Sequence, residues 1–446
     1  MTGVREMFQS EFEAMERTEL ERLQEKRLRE IVTRVYHHVP FYRKQLDERK
    51  LSPDCFRGLD DLPRLPFTTK KDLRDHYPAG LFAVGMEEVK RLHASSGTKG
   101  KPTVVGYTRR DLQSWADVCA RAIVAAGGKE GDIFHNAYGY GLFTGGLGLH
   151  QGAERLGQTV IPASGGNRLR QLSMICDLKP RGIAGTPSFI LSLGETLAEM
   201  GEDPRETSLE YGIFGAEPWS EAMREKLEDL WGIHAVDIYG LSELTGPGVA
   251  IECWQAKDGL HIAEDHFLVE VIDPETGERK PDGEIGELVF TSLTKEAIPL
   301  LRYRTGDLAA VVREPCRCGR THARMSRVKG RIDDMLIIRG VNVYPMEIEP
   351  VLMRKSHLAP HYQLIIEKRG RLDELTVEVE VTEAVWQQLG RNAAHEKLKA
   401  LTKELASEIK DLLGLSILVK IHAPKSIPRS EGKAVRIIDR RMTAGL

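Results

Sequence analysis

A chain of 446 residues is longer than one hydrophobic core ordinarily organises, so two domains or more are expected. Its 41% hydrophobic and 29% charged content fits a soluble globular protein and argues against extended disorder. The net charge of −3, with acids and bases interspersed, leaves no basic footprint for a nucleic-acid backbone, and no nucleic-acid partner is expected.

The first stretch, MTGVREMFQSEFEAMERTELERLQEKRLREI, is charged throughout and lacks the apolar centre of a secretory leader. No run approaches the ~18 apolar residues of a spanning helix, so no membrane partner is expected and the cytoplasm is the expected location. Six cysteines are too sparse for a disulfide scaffold. Leu20, Leu23, Leu28, Ile31, Val32 and Val35 recur at helical spacing and predict an amphipathic helix ending before HHVPFYR, where Pro40 discourages continuation. In LDDLPRLPFTTKKDLRDHYP, Thr68 or Thr69 is placed to cap a short helix.

Between about Leu92 and Leu308, short apolar runs alternate with helix-like segments. TVIPAS, GIAGTP and YGIFGAEPWS each precede a helical stretch, and AVDIYGLSE ends in a loop. This pattern predicts α/β architecture with mainly parallel sheets. HFLVEVIDPETGERKPDGEIGELVFTSL then reads as hairpins, with PETGE and PDGE as turns. After GRIDDMLIIRG come strand candidates QLIIEK, LTVEVEV and ILVKI and a helix around HEKLKALTKELASEIKDLL, a compact α+β unit. The boundary is placed at Asp333, giving a large N-terminal domain, 1–332, with a hairpin-rich subdomain, and a small C-terminal domain, 333–446.

SSGTKGKPT, Ser95 to Thr103, combines glycines that let a backbone approach a ligand with hydroxyl and lysine donors suited to phosphate. The spacing of Gly97 and Gly100, with Pro102 after Lys101, excludes a Walker loop. Taken alone, the segment equally describes a surface turn. YGLSELTG, from Tyr239, sets a ring, a hydroxyl and a carboxylate at a strand end, where ligands sit in open α/β sheets. YRTGDLA offers Asp307 in a turn as an acceptor for ribose hydroxyls, and GRIDDMLIIRG offers Arg331 and Asp333. Each also reads as a buried tyrosine, a turn aspartate or a solvated charge cluster.

In this order the stretches resemble the adenylate-forming superfamily of acyl-CoA synthetases, and within it the phenylacetate–CoA ligase branch. The resemblance runs from VPFYRKQLD through LPFTTKKDLRDHYP to SEGKAVRIID, and YGLSELTGPGVAIEC, TSLTKEAIPLLRYRTGDL and DDMLIIRGVNVYP carry it most specifically. It implies a two-step reaction. An aryl acid, phenylacetate favoured, attacks ATP to give an acyl-adenylate and pyrophosphate, and coenzyme A then takes the acyl group and releases AMP. Benzoate, aminobenzoate or indoleacetate, or transfer to a carrier protein, are the alternatives within that chemistry. A zinc-bearing binding module without catalysis is the alternative outside it.

The resemblance further implies that Ser95, Ser96, Gly97, Thr98, Gly100 and Lys101 embrace the outer phosphates. Tyr239 and Gly240 meet the adenine, and Gly215, Ala216 and Glu217 line it. Ser242 retains a hydroxyl where most of the superfamily has threonine. Glu243 holds Mg²⁺, Asp307 takes the ribose, and Arg331 sits near the ribose and α-phosphate. Lys433 is the catalytic lysine, carried by a mobile C-terminal domain that turns about Asp333, and a homodimer is implied.

HNAYGYGLFTGGLGLH reads either as an acyl pocket in which Tyr138, Tyr140 and Phe143 hold a flat acid, or as a tightly packed glycine-rich strand–turn–helix. Cys316 and Cys318 read either as a pair of reduced thiols or, with upstream Cys253 and His261, as the ligands of a structural zinc, with His322 as rival imidazole. Cys55, Cys119 and Cys176 read as ordinary buried thiols.

Overall fold

The structure, a computed structural model, describes residues 7–95, 102–339, 341–369, 372–429 and 434–441. The amphipathic helix forms as Arg17–His38 and buries Leu20, Leu28, Ile31, Val32 and Val35. Pro40 does more than end it: after Val39 the chain re-enters a helix, Pro40–Glu48. Proline fits there because the first helical residue has no intrahelical use for an N–H. Thr69 is the cap of Lys70–Asp75, accepting from Asp72 N while Asp72 accepts from Thr69 N at 2.8 Å. Thr68 is instead buried, donating to the Leu301 carbonyl at 2.7 Å.

A hairpin of β1 (Arg91–Ala94) and β2 (Val104–Tyr107) flanks the glycine- and hydroxyl-rich segment. A large sheet follows, built from β3 (Ile133–Asn136), β4 (Thr159–Ile161), β5 (Gly182–Gly185), β6 (Tyr211–Gly215) and β7 (His234–Leu241), then β8 (Gly246–Glu252) and β9 (Leu260–Ile262). Strands β4, β3, β5, β6 and β7 are parallel neighbours joined through helices, as the alternating pattern predicts. At β7 the direction reverses: β8 returns antiparallel after a short turn, and β9 continues the antiparallel half.

A second sheet packs beside it, from β10 (Phe267–Ile272), β11 (Gly286–Ser292), β12 (Tyr303–Ala309) and, after β13 (Val311–Val312) and β14 (Arg324–Met325), β15 (Gly330–Arg331). PETGE and PDGE both fall in the single connection from β10 to β11, so they shape one long hairpin loop and not two hairpins. Strands β13 and β14 extend the antiparallel edge of the large sheet.

A turn at Ile332–Asp334 leads into the small lobe. There β16 (Leu336–Ile338) pairs with β17 (Val341–Val343). A mixed sheet combines β18 (Leu358–Arg369), β19 (Leu372–Val381), β20 (Leu418–His422) and β21 (Ile437–Asp439). Helix Glu396–Leu413 covers it with Leu398, Leu405 and Ile409. Buried residues of the small lobe join those beneath helices Pro187–Glu199 and Glu221–Trp231 in one apolar cluster, so the lobes share a packed seam.

The glycine run of HNAYGYGLFTGGLGLH is divided between the two readings. Gly148 and Gly152, on helix Thr144–Leu156, sit where a Cβ would come within 2.5 Å of the Trp115 ring and 2.4 Å of Cys119 Cβ. They bring this helix onto helix Arg109–Ala125. Gly139 and Gly141 have open space around them. Cys119 is buried, but Cys55 and Cys176 are exposed, because each falls on the outward side of its turn or helix. Among the described residues no helix is long and apolar enough to cross a membrane.

Candidate active site

The site candidates gather where the large sheet changes from parallel to antiparallel, the position at which strand ends diverge and leave a crevice. At the end of β6, Gly215 is required: a Cβ there would lie 2.4 Å from the Ile238 carbonyl oxygen. Ala216 follows with φ +65°, exposed, in a left-handed conformation that non-glycine residues rarely adopt. The Glu217 carboxylate points elsewhere. Its Oε1 accepts from Ser188 N and its Oε2 from Ala434 N, each at 2.8 Å, so only its backbone is left to face a base.

At the end of β7, Gly240 has no room for a side chain, since a Cβ would sit 1.9 Å from the Gly246 oxygen. Ser242 is buried, its hydroxyl 3.2 Å from Thr144 Oγ1, a partner that the sequence reading missed. Glu243 is also buried and forms no ion pair among the described residues. Its charge is felt at Asp307, Tyr303 and Tyr107, which places it in the same crevice. A nearly buried carboxylate without a cationic partner fits a hard divalent ion.

Asp307 lies in strand β12 and not in a turn. Pairing of β12 with β15 sets it directly opposite Arg331. Arg331 Nη1 donates to Asp307 Oδ1 at 2.6 Å and Nη2 to the Thr305 carbonyl at 3.2 Å, while the Tyr239 hydroxyl donates to Oδ2 at 2.7 Å. Tyr239 therefore presents its ring edge-bound and half-buried, stacked on Phe290 at 6.1 Å. Burial holds the Asp307 carboxyl above its ordinary value even beside Arg331, and burial followed by the Asp307 charge raises the Tyr239 phenol. Each carboxylate oxygen accepts one bond here and has a lone pair left for a second, which suits a vicinal diol.

Ser95 pins the base of its loop: its N–H donates to the Thr103 carbonyl at 3.0 Å and its Oγ accepts from Thr103 N at 3.2 Å, leaving the hydroxyl proton to donate. Ser96, Gly97, Thr98, Gly100, Lys101 and Lys433 lie outside the described residues. Asp333 is exposed in the turn between the lobes.

The acyl candidates separate. Tyr138 is buried in the apolar core, with its ring among packed residues, so it is less exposed than the other two candidates. Tyr140 is half-buried, bonded to Asn136 Nδ2 at 2.9 Å and to His150 Nδ1 at 3.1 Å, and burial pushes its phenol up to about 12. Phe143 is half-buried at the start of helix Thr144–Leu156.

Cys253, His261, Cys316 and Cys318 converge, all buried, with their donor atoms within 4.8 Å of one another. Cys253 Sγ lies 3.8 Å from Cys316 Sγ, and Cys318 Sγ lies 3.5 Å from His261 Nε2. Three thiols and an imidazole at these separations fit a tetrahedral zinc. His322 is buried elsewhere, beside Asp265 and Glu264, and does not join them. The pairing of β9 with β14 sets His261 opposite Arg324, a register that no sequence spacing announces.

The fold and this crevice define an adenylate-forming enzyme. Residues 60–294 match the AMP-binding enzyme family model and residues 340–441 the AMP-binding enzyme C-terminal domain. The chain belongs to the AMP-binding enzymes, in their phenylacetate–coenzyme A ligase branch, and is an AMP-forming acid–thiol ligase. It is 54% identical to the phenylacetate-coenzyme A ligase of Thermus thermophilus, over 98% of this chain and 100% of that one. Among solved structures it resembles 2-hydroxyisobutyryl-CoA ligase in the postadenylation state, with TM-score 0.90, 30% identity, and coverage of 97% of this chain and 92% of that one. Against the same enzyme in the thioesterification state, at 31% identity and the same coverage, the TM-score is 0.70, so the lobes here are arranged as in the former state.

Proposed function

We propose that the enzyme converts phenylacetate to its coenzyme A thioester through an acyl-adenylate, releasing pyrophosphate and AMP. Kinship along the whole chain to a phenylacetate-coenzyme A ligase supports the substrate. The observation that carries the chemistry is the Tyr239–Asp307–Arg331 cluster at the sheet's turning point. In this reading Asp307 receives the ribose hydroxyls on its spare lone pairs, Tyr239 holds the base against its ring, and Arg331 lies beside the ribose and α-phosphate. Ser95 donates its hydroxyl proton to a phosphate, and Ser242 offers a second hydroxyl nearby. Lys433, assigned from its motif alone, neutralises charge on the attacking carboxylate and the α-phosphate.

Glu243 would hold Mg²⁺, which when bound supplies positive charge to the phosphate oxygens. Tyr140 and Phe143 are the acyl-pocket candidates that remain accessible, with Gly139 and Gly141 leaving room beside them. The second half-reaction requires another surface at the same adenylate, and Asp333, in the turn between 1–332 and 333–446, is the proposed hinge.

A structural zinc at Cys253, His261, Cys316 and Cys318 belongs to the same proposal, supported by their burial and convergence. A cytoplasmic location rests on the charged first stretch and the sparse cysteines, a homodimer rests on the family resemblance, and light scattering of the purified protein tests the assembly. The decisive experiment for function is coenzyme A-dependent AMP release across aromatic and aliphatic acids. Phenylacetate should give the highest kcat/KM; a clear preference for another acid overturns the substrate, and absence of AMP with every acid overturns the reaction.

A further inference from the structure

The loop that closes the base side of the crevice, Glu217 to Ser220, is held by the small lobe at three points. Ala434 N donates to Glu217 Oε2 at 2.8 Å, Arg436 Nη1 donates to the Pro218 carbonyl at 3.3 Å, and Ser220 N donates to Glu349 Oε1 at 2.7 Å. Glu349 and Arg436 are themselves paired, and the Tyr362 hydroxyl donates to Glu349 Oε2 at 2.8 Å. Glu349 is fully buried and Arg436 nearly so.

The pair thus presents one acceptor and one donor, prefixed on the small lobe, to the N–H and C=O of a single short stretch of the large lobe. Glu217 completes the hold from the other side, because its Oε1 is anchored on Ser188 in the first turn of helix Pro187–Glu199. Pro218 and Ser220 are thus held by their main chain and Glu217 by its carboxylate, which leaves the Glu217 backbone free among the described residues. Any rotation of the small lobe separates all three contacts at once, since Glu349, Tyr362, Ala434 and Arg436 move together and residues 188–220 stay behind.

We propose that Glu349 and Arg436 are positioning residues for the adenylate-forming half-reaction: they lock the base-lining loop and the segment directly after Lys433 into one geometry, and are released for thioester formation. The inference rests on the two-step reading above. By linkage, whatever nucleotide binding does to order this loop must favour docking of the small lobe, and docking must favour nucleotide to the same degree.

The test separates the two half-reactions in the full-length enzyme. ATP–pyrophosphate exchange with phenylacetate reports the first, and thioester formation from synthetic phenylacetyl-adenylate and coenzyme A reports the second. Arg436→Met breaks the grip on Pro218 and leaves Glu349 buried without its cation, and should lower exchange about tenfold or more. Glu349→Gln keeps an acceptor for Ser220 N with less charge and should lower exchange about threefold. In both, thioester formation from the preformed adenylate should stay within about twofold of wild type, because the contacts are absent in that arrangement.

Should Arg436→Met fail to fold, Glu217→Gln tests the same seam from the large lobe and leaves the charge pair intact. Its exchange should fall about threefold, with thioester formation again preserved. Equal losses in both half-reactions, or exchange at the wild-type rate in folded variants, overturn the assignment. Failure of the wild-type enzyme to exchange with any acid overturns the functional reading, which is a different result.

Discussion

Two buried carboxylates in this protein have the same company but sit at different junctions of the fold. Asp307 faces Arg331 and the Tyr239 hydroxyl, while Glu349 faces Arg436 and the Tyr362 hydroxyl. Asp307 lies at a strand pairing within the large lobe, and each of its carboxylate oxygens accepts one bond from these partners. Glu349 lies in the seam, where Ser220 N of the large lobe also donates to its Oε1. An acid, a guanidinium and a phenol do not define a binding site by themselves. What distinguishes them is the further bond that Glu349 accepts from the backbone of the other lobe.

The largest effect that tests this contrast is expected at Asp307. Asp307→Ala removes two charge-assisted acceptors from the ribose and strands Arg331, so ATP–pyrophosphate exchange should fall about 100-fold or more. A loss under fivefold in a folded variant places the ribose elsewhere. Next comes the cluster of Cys253, His261, Cys316 and Cys318, the proposed zinc site. Cys316→Ser should abolish one equivalent of tightly bound zinc and lower Tm by about several degrees, with kcat at 25 °C nearly unchanged. Wild-type protein free of zinc after purification without chelator ends that assignment.

A matched pair of tyrosine variants sharpens the comparison at lower amplitude. Tyr239→Phe and Tyr362→Phe each delete one hydroxyl donor to a buried carboxylate, worth about 1 kcal/mol or roughly fivefold. The first should appear as a higher KM for ATP, the second as a lower exchange rate at saturating ATP. Identical kinetic signatures would mean that the two acids share one role.

The smallest effect concerns Lys295. It is buried with no hydrogen-bond partner among the described residues, its Nζ 3.2 Å from the Tyr107 ring centre, and burial lowers its pKa to about 7. In the unfolded chain it titrates near 10.5, so between pH 7 and 10.5 the unfolded state binds the extra proton and native stability rises with pH. Lys295→Met should therefore raise Tm at pH 7, with the gain shrinking towards pH 10. A gain independent of pH would show that the lysine is charged in the native protein.

Much of the fold was legible because local signals coincided with tertiary need. Apolar residues at helical spacing formed Arg17–His38, and alternating apolar runs formed the parallel half of the large sheet. Legibility stopped where packing reassigned a residue. Pro40 read as a stop and serves as a start, because the next helix could use its fixed φ. Asp307 read as a turn residue and lies in a strand, because its neighbour across the ladder is the arginine that neutralises it. Glu217 read as part of the base wall, yet its carboxylate bridges a helix start and the small lobe. Arg436 stood in the same SEGKAVRIID stretch as Lys433, so a signal existed, but nothing in the sequence paired it with Glu349.

By itself the chain determined its two-lobe architecture, its α/β class and the residue types needed to handle nucleotide, because periodicity, turn residues and motif order are properties of neighbours along the backbone. Only the tertiary structure decided which imidazole joins the three cysteines, which aromatic rings remain accessible, and which of two similar carboxylates accepts a backbone N–H from the other lobe. Those outcomes depend on strand register and on how two lobes meet, and both are set by contacts between residues far apart in the chain.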